Sequence, residues 1–80
     1  MKYVMFIVSE DTTACFRGKD CENVKDFLDI TKKQHISKCV DEIISQVESC
    51  VNDEWDEETG FMSVDVGVDD TKFSVHIAEC

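Results

Sequence analysis

Cys15, Cys21, His35 and Cys39 stand in the arrangement C-x5-C-x13-H-x3-C, the one constellation in this 80-residue sequence whose residue types suit a closed chemical site. Three thiolates and an imidazole form the tetrahedral complement of a structural zinc ion, with no coordination position left open for catalysis. The second half of the pattern is the more informative. Residues four apart on one helix project from the same face, a turn apart, so His35 and Cys39 would reach a single ion. The first half brackets Phe16-Arg-Gly-Lys-Asp20, whose glycine lets two thiolates fold towards each other. The alternative is plain packing, with Cys39 at a helix boundary, His35 solvated near a helix start and Cys15 and Cys21 buried as small apolar side chains. Cys50 lies about 16 Å beyond Cys39 along a helix rising 1.5 Å per residue and reads as core. Cys80, at the chain end, reads as exposed. Five cysteines are an odd number and no secretion signal accompanies them, so a disulfide framework is not expected.

Catalytic signatures are missing. The serines lack a nucleophile-elbow context and the three glycines form no phosphate-binding loop. Nothing pairs a carboxyl in an apolar pocket with one in a polar pocket, as acid/base catalysis requires. Asp65, Asp69 and Asp70 do not follow the calcium-loop pattern. The expectation is a protein that is not an enzyme.

Charge is the stronger functional clue. Eighteen acidic residues against eight basic ones give a formal net charge of −10. Nucleic acid and anionic membranes are met by basic patches, so neither is expected as a direct partner. A protein with a basic surface is. The imbalance is also local. Between Cys39 and Thr71 there are eleven acids and no lysine or arginine, while the remainder holds seven acids against eight bases. Within that segment Asp53-Glu-Trp-Asp-Glu-Glu58 sets the only tryptophan among five carboxylates. Trp55 either folds back over the end of the core or serves as an aromatic anchor inside a steering acidic rim. Asp65 and Asp69 fall on the same phase of a strand, where alternate residues are about 7 Å apart, a spacing at which carboxylates imitate phosphates. Asp53, Glu54, Trp55, Asp56, Glu57, Glu58, Asp65, Asp69 and Asp70 are therefore the candidate partner-binding residues.

The elements that must position these residues follow from periodicity. Lys2 to Ser9 is apolar on both pleat faces and suits a central strand covered at least in part on both sides. Ala14 to Arg17 forms a short second strand, ended by Gly18. Asp20 caps a short helix over Cys21 to Ile30. Thr31-Lys-Lys-Gln34 matches a capping box and opens a helix of about 20 residues reaching Asn52. Its stripe of Ile36, Val40, Ile43, Ile44, Val47 and Val51 faces the core. Met62 to Val68 and Phe73 to Ile77 alternate apolar and polar residues and form a hairpin, though without an Asn-Gly or Asp-Gly turn. The expected fold is a single α+β domain over residues 1 to 80, in the order β(β)ααββ. A three- or four-stranded antiparallel sheet lies with its apolar face under the long helix. No apolar run approaches the roughly 18 residues of a membrane span, and the Tyr3 to Val8 run is too short for a signal peptide, so a cytoplasmic location is expected.

An acidic, proline-free chain of this length, opening MKYVMFIV and free of catalytic signatures, resembles the small inhibitors that phages and mobile elements use against host nucleases. Anti-CRISPR proteins are the foremost of these. The resemblance lies in size and charge over the whole chain and assigns no role to an individual residue. It implies a stoichiometric inhibitor that blocks nucleic-acid binding or loading by a CRISPR effector nuclease, in some families as a DNA mimic. The rival expectation is a small zinc-stabilised adaptor or regulatory domain that binds a protein through its helix or a sheet edge.

Overall fold

The computed structural model describes residues 1–80 except Lys19 and Ile36. The order is β1 (Tyr3–Val8), β2 (Thr13–Arg17), α1 (Val24–Gln34), α2 (Lys38–Glu54), β3 (Phe61–Val68) and β4 (Thr71–Glu79). Four antiparallel strands lie in the order β2-β1-β4-β3, which places the two-faced apolar strand β1 between neighbours as its sequence asks.

One face of this sheet makes the core. Tyr3, Met5 and Ile7 of β1, Val75 and Ile77 of β4, and Met62, Val66 and Val68 of β3 are buried against both helices. α1 contributes Val24, Phe27 and Leu28, and α2 contributes Ile43, Ile44, Val47 and Val51, each set recurring at the three- and four-residue spacing that lines one side of a helix. Burying side chains of this kind contributes about 1.5–3 kcal/mol each against full exposure. The aromatic centre is a stack of Tyr3 on Phe27, with ring centroids 5.6 Å apart.

Both expected helices are present, but α1 runs on to Gln34 and α2 begins at Lys38, so the boundary between them does not fall at Thr31 as the capping-box pattern predicts. Asn23 caps α1, accepting from the Asp26 N–H at 3.0 Å, in place of Asp20. Thr31 lies inside α1, where its buried hydroxyl donates to the Phe27 carbonyl at 2.8 Å. It caps nothing. α1 continues to Gln34, with Lys32 and Lys33 in its last turn complementing the dipole, and His35 closes it by donating its N–H to the Thr31 carbonyl. A fresh cap at Ser37, which accepts from the Val40 N–H, opens α2. The expected apolar contribution of Ile36 lies outside the described residues.

Asp56 organises the connection from α2 to β3. Its carboxylate accepts from the backbone N–H groups of Glu58 and Thr59, and Gly60 follows with φ +65. A side chain at Gly60 would be strained by that φ, and its Cβ would sit 2.7 Å from the Glu79 carboxylate. At the other end of the hairpin Val68 pairs with Thr71, leaving Asp69 and Asp70 as a two-residue turn with φ of 50 and 63. Positive φ at both central positions is the type I′ requirement, met here by Asp-Asp because aspartate tolerates the left-handed region.

Candidate functional site

α2 sorts its carboxylates by the side of the helix they occupy. Ser45 and Glu48 face α1, where the Lys32 ammonium donates to the Ser45 hydroxyl at 2.8 Å and approaches the Glu48 carboxylate at 3.6 Å. Gln46 lies on the other side and donates to the Gly67 carbonyl at 2.8 Å, tying α2 to the far end of β3. Asp41, Glu42, Asp53 and Glu54 are exposed, and no ion pair engages them among the described residues. Below α2, Asp56, Glu57 and Glu58 are exposed in the loop.

The expected partner-binding residues therefore divide into three groups. Asp53 to Glu58 gather at the C-terminal end of α2. Asp69 and Asp70 stand at the hairpin tip, a strand length away: seven steps of 3.3 Å from Phe61 to Val68 make about 23 Å. The Gln46–Gly67 bond and the antiparallel course of α2 and β3 put this tip towards the N-terminal half of α2. Glu42 and Asp53 share the Gln46 side of α2 and connect the two acidic poles along one edge, whereas Asp41 lies on the α1 side, where it lines a recess with Lys32 and Lys38. Asp65 does not join that edge. It points to the sheet face remote from the helices, where its carboxylate accepts from the Ser74 hydroxyl at 3.0 Å and lies 3.7 Å from the Lys72 ammonium. The expected row of Asp65 and Asp69 is thus corrected, because the turn diverts Asp69 from the strand phase they would share.

Trp55 is half-buried as the C-cap of α2, with its ring edge-on to Tyr3 at 5.8 Å. Beside it lies a cleft of about 560 Å³, walled by Tyr3, Val24, Val51 and Trp55 and rimmed by Glu57 and Glu79. Trp55 covers the end of the core, the first of the two expectations for it, and leaves part of its surface exposed within the acidic rim. Burial, with a smaller contribution from Glu79, raises the Tyr3 phenol above its ordinary range and keeps it protonated.

The zinc pattern disperses. Cys15 is exposed on the sheet face away from the helices, opposite Phe6, whereas its neighbour Phe16 points to the helix side and packs edge-on against the His35 ring at 4.6 Å. Strand alternation thus puts Cys15 and His35 on opposite sides of the sheet. Cys21 is buried, its N–H donating to the Met1 carbonyl at 2.7 Å. His35 and Cys39 do not share a helix: one closes α1 and the other lies exposed in the first turn of α2. Among the described residues no group of three or more His, Cys, Asp or Glu side chains is placed to hold a metal ion. Cys50 is half-buried, with Sγ 3.4 Å from the Val47 carbonyl, and its thiol is pushed up by burial and by the Glu54 and Asp53 carboxylates. That favours an inert thiol.

The residues that sequence reasoning missed lie on the bare face of the sheet. Phe6 and Phe61 are exposed there at 38% and 43%, with His76 between them, its ring 6.5 Å from Phe61 and its Nδ1 2.9 Å from the Ser63 hydroxyl. The signal was present in the second apolar face of β1.

No helix among the described residues is long and apolar enough to cross a membrane. No protein-family model matches this chain, and comparisons with curated proteins and with solved structures found no significant match.

Proposed function

We propose that this chain is a stoichiometric inhibitor that binds the basic surface of a nucleic-acid-handling enzyme, with a CRISPR effector nuclease as the foremost class. One observation carries the reading: Glu42, Asp53 and Glu54 of α2 and Asp56, Glu57 and Glu58 of the loop after it are exposed in a segment that contains no lysine or arginine between Cys39 and Thr71. A channel built for nucleic acid is lined by cations, and such an acidic edge is attracted to it at long range and competes for the same cations. The half-buried Trp55 and its cleft add apolar area at one acidic pole, where a steered encounter gains lasting contacts. Inhibition by occupancy needs no catalytic residue, which agrees with the missing catalytic signatures.

The test titrates the chain against purified guide-loaded CRISPR effectors and reads target-strand binding. Loss of binding that saturates at one chain per enzyme is expected. Raising salt from about 0.1 M to about 1 M shortens the screening length from roughly 10 Å to 3 Å and should weaken the complex. Glu57→Lys with Glu58→Lys should slow association by about tenfold or more, since rim charges act chiefly on the encounter rate. Salt-independent binding unaffected by these reversals overturns this interface.

A further inference from the structure

The face of the sheet turned away from the helices carries a second interface, independent of the acidic edge: we propose that two copies of this chain associate through it, face to face. Antiparallel sheets that meet water on one side alternate apolar and polar residues, yet β1 is apolar on both sides. Val4 and Val8 are half-buried and Phe6 is exposed on the bare side, in the middle of the sheet. Among the described residues the exposed large apolar side chains are Met1, Phe6 and Phe61, and both phenylalanines lie on this face. Monomers rarely expose contiguous apolar patches of this kind unless a partner covers them.

Charge selects the occupant. The four strands present only Arg17, Lys72 and Asp65 as charged residues on this side, a net of +1, in a chain of net −10. A basic partner is drawn to the acidic edge and gains nothing electrostatic here. Two copies, however, repel each other over most of their surfaces and meet without opposed carboxylates on this one. The pairing register shows the face to be self-complementary. A two-fold axis parallel to the strands lays β2 of one copy over β3 of the other and β1 over β4. Arg17 then falls near the partner copy's Phe61, a cation over an aromatic ring, and Phe6 near its His76. Asp65, already held by Lys72, meets Thr13 and no second carboxylate. Aligned sheet packing at about 30° and about 10 Å separation preserves these neighbourhoods. The result is a four-layer arrangement with helices outermost and both acidic edges exposed.

The size fits a dissociable dimer. Four strands about 4.8 Å apart, five to nine residues long and 28 residues in all, cover roughly 450 Å² at about 3.3 Å per residue. A standard stable interface takes about 800 Å² per partner, so exchange in the micromolar range or weaker is expected. Salt dependence has the opposite sign to that of the inhibitor complex, because screening relieves repulsion between like-charged copies.

Sedimentation of the intact reduced chain, from micromolar to millimolar, tests the proposal. The mass should rise from 9.1 kDa to twice that value, and at lower concentration in about 1 M salt than in about 0.01 M. Phe6→Thr and Phe61→Thr each change a solvent-facing strand residue to another strand former and should weaken association about tenfold, with circular dichroism confirming the fold. A readout without substitution is thiol alkylation. Cys15 lies on this face and Cys39 on α2, both exposed in one copy, so self-association should protect Cys15 and leave Cys39 unchanged. A chain that stays monomeric at millimolar concentration in high salt overturns the proposal. So does a dimer insensitive to both substitutions, or equal alkylation of the two cysteines at every concentration. A monomer whose Cys15 is shielded only by an added basic protein assigns the face to a different occupant and overturns it too.

Discussion

The two sides of β1 are six residues of one strand in two environments. Tyr3, Met5 and Ile7 lie under the helices at 3%, 0% and 4% exposure, whereas Val4 and Val8 are half-buried and Phe6 is 38% exposed. Both sides are equally apolar by composition, so hydrophobicity did not decide which was covered. The neighbours did. β3 and β4 carry valine, isoleucine and methionine on the Met5 side, and on the Phe6 side alternate with serine, histidine, aspartate and glycine. A chain of 80 residues with two helices has material to roof one side of a four-stranded sheet. The covered side makes the fold, and the uncovered side is free for association.

The largest expected effect breaks this contrast directly. Met5→Ala leaves a cavity in a fully buried site and should cost about 2–5 kcal/mol by urea denaturation. Phe6→Ala one residue later removes a larger side chain, yet at dilute concentration should cost less than about 1 kcal/mol, since surface substitutions mostly stay within such limits. Equal losses would mean that the bare side is packed in the monomer, and would remove the ground for an interface there.

A smaller effect concerns the hairpin that brings β3 and β4 into both sides. Asp69 and Asp70 hold positive φ where glycine would be unstrained. Asp70→Gly supplies the Asp-Gly pair favoured in such turns and should stabilise by about 1 kcal/mol, read as a higher urea midpoint with unchanged slope. Destabilisation would show that the Asp70 side chain contributes more than its strain costs.

Periodicity alone made the strands legible, because a period of two is local and each strand's buried set is its alternate residues. The core of α2 was legible for the same reason. The helix boundary was not. Thr31 and Gln34 satisfy the capping pattern, but the Thr31 hydroxyl turns inward to the Phe27 carbonyl, a bond that the same residue makes equally well inside a helix. Opening the second helix at Thr31 instead of Lys38 then placed His35 and Cys39 on one helix and made the zinc quartet look convergent. The parity of Cys15 against Phe16 on β2 separates the ligands, and parity needs the strand's register, which only its partners fix. The acidic edge was legible as a segment, while its division into two poles about 23 Å apart depended on how α2 and β3 run past each other.

A few tenths of a kcal/mol separate the next pair of outcomes. The last turn of α2 holds Asp53 and Glu54 and no basic residue, the reverse of what the helix dipole favours, whereas α1 ends in Lys32 and Lys33. Glu54→Lys should therefore stabilise by about 0.3–1 kcal/mol at low salt, an increment lost as salt rises. If the acidic edge is the partner surface, the same substitution weakens binding while it strengthens the fold. A variant that gains stability and loses nothing in binding would confine the edge to a narrower set of carboxylates.

Alkaline pH separates the helix-covered region from the rest with the smallest expected effect. The Tyr3 phenol and the Cys50 thiol both stand above their ordinary ranges, in each case first through burial, so the folded chain holds these protons more tightly than the unfolded one. Stability from such groups is whole below their unfolded values, about 8.5 for cysteine and about 10 for tyrosine, and is lost as pH rises through the higher folded values. Denaturation midpoints should hold steady through neutrality and fall above about pH 8.5. Cys50→Ser should remove the first part of that fall and Tyr3→Phe the later part, each leaving the neutral midpoint little changed. A fall of the same shape in both variants would place the alkaline sensitivity outside the covered side, and with it the premise that water is excluded there more than on the bare face.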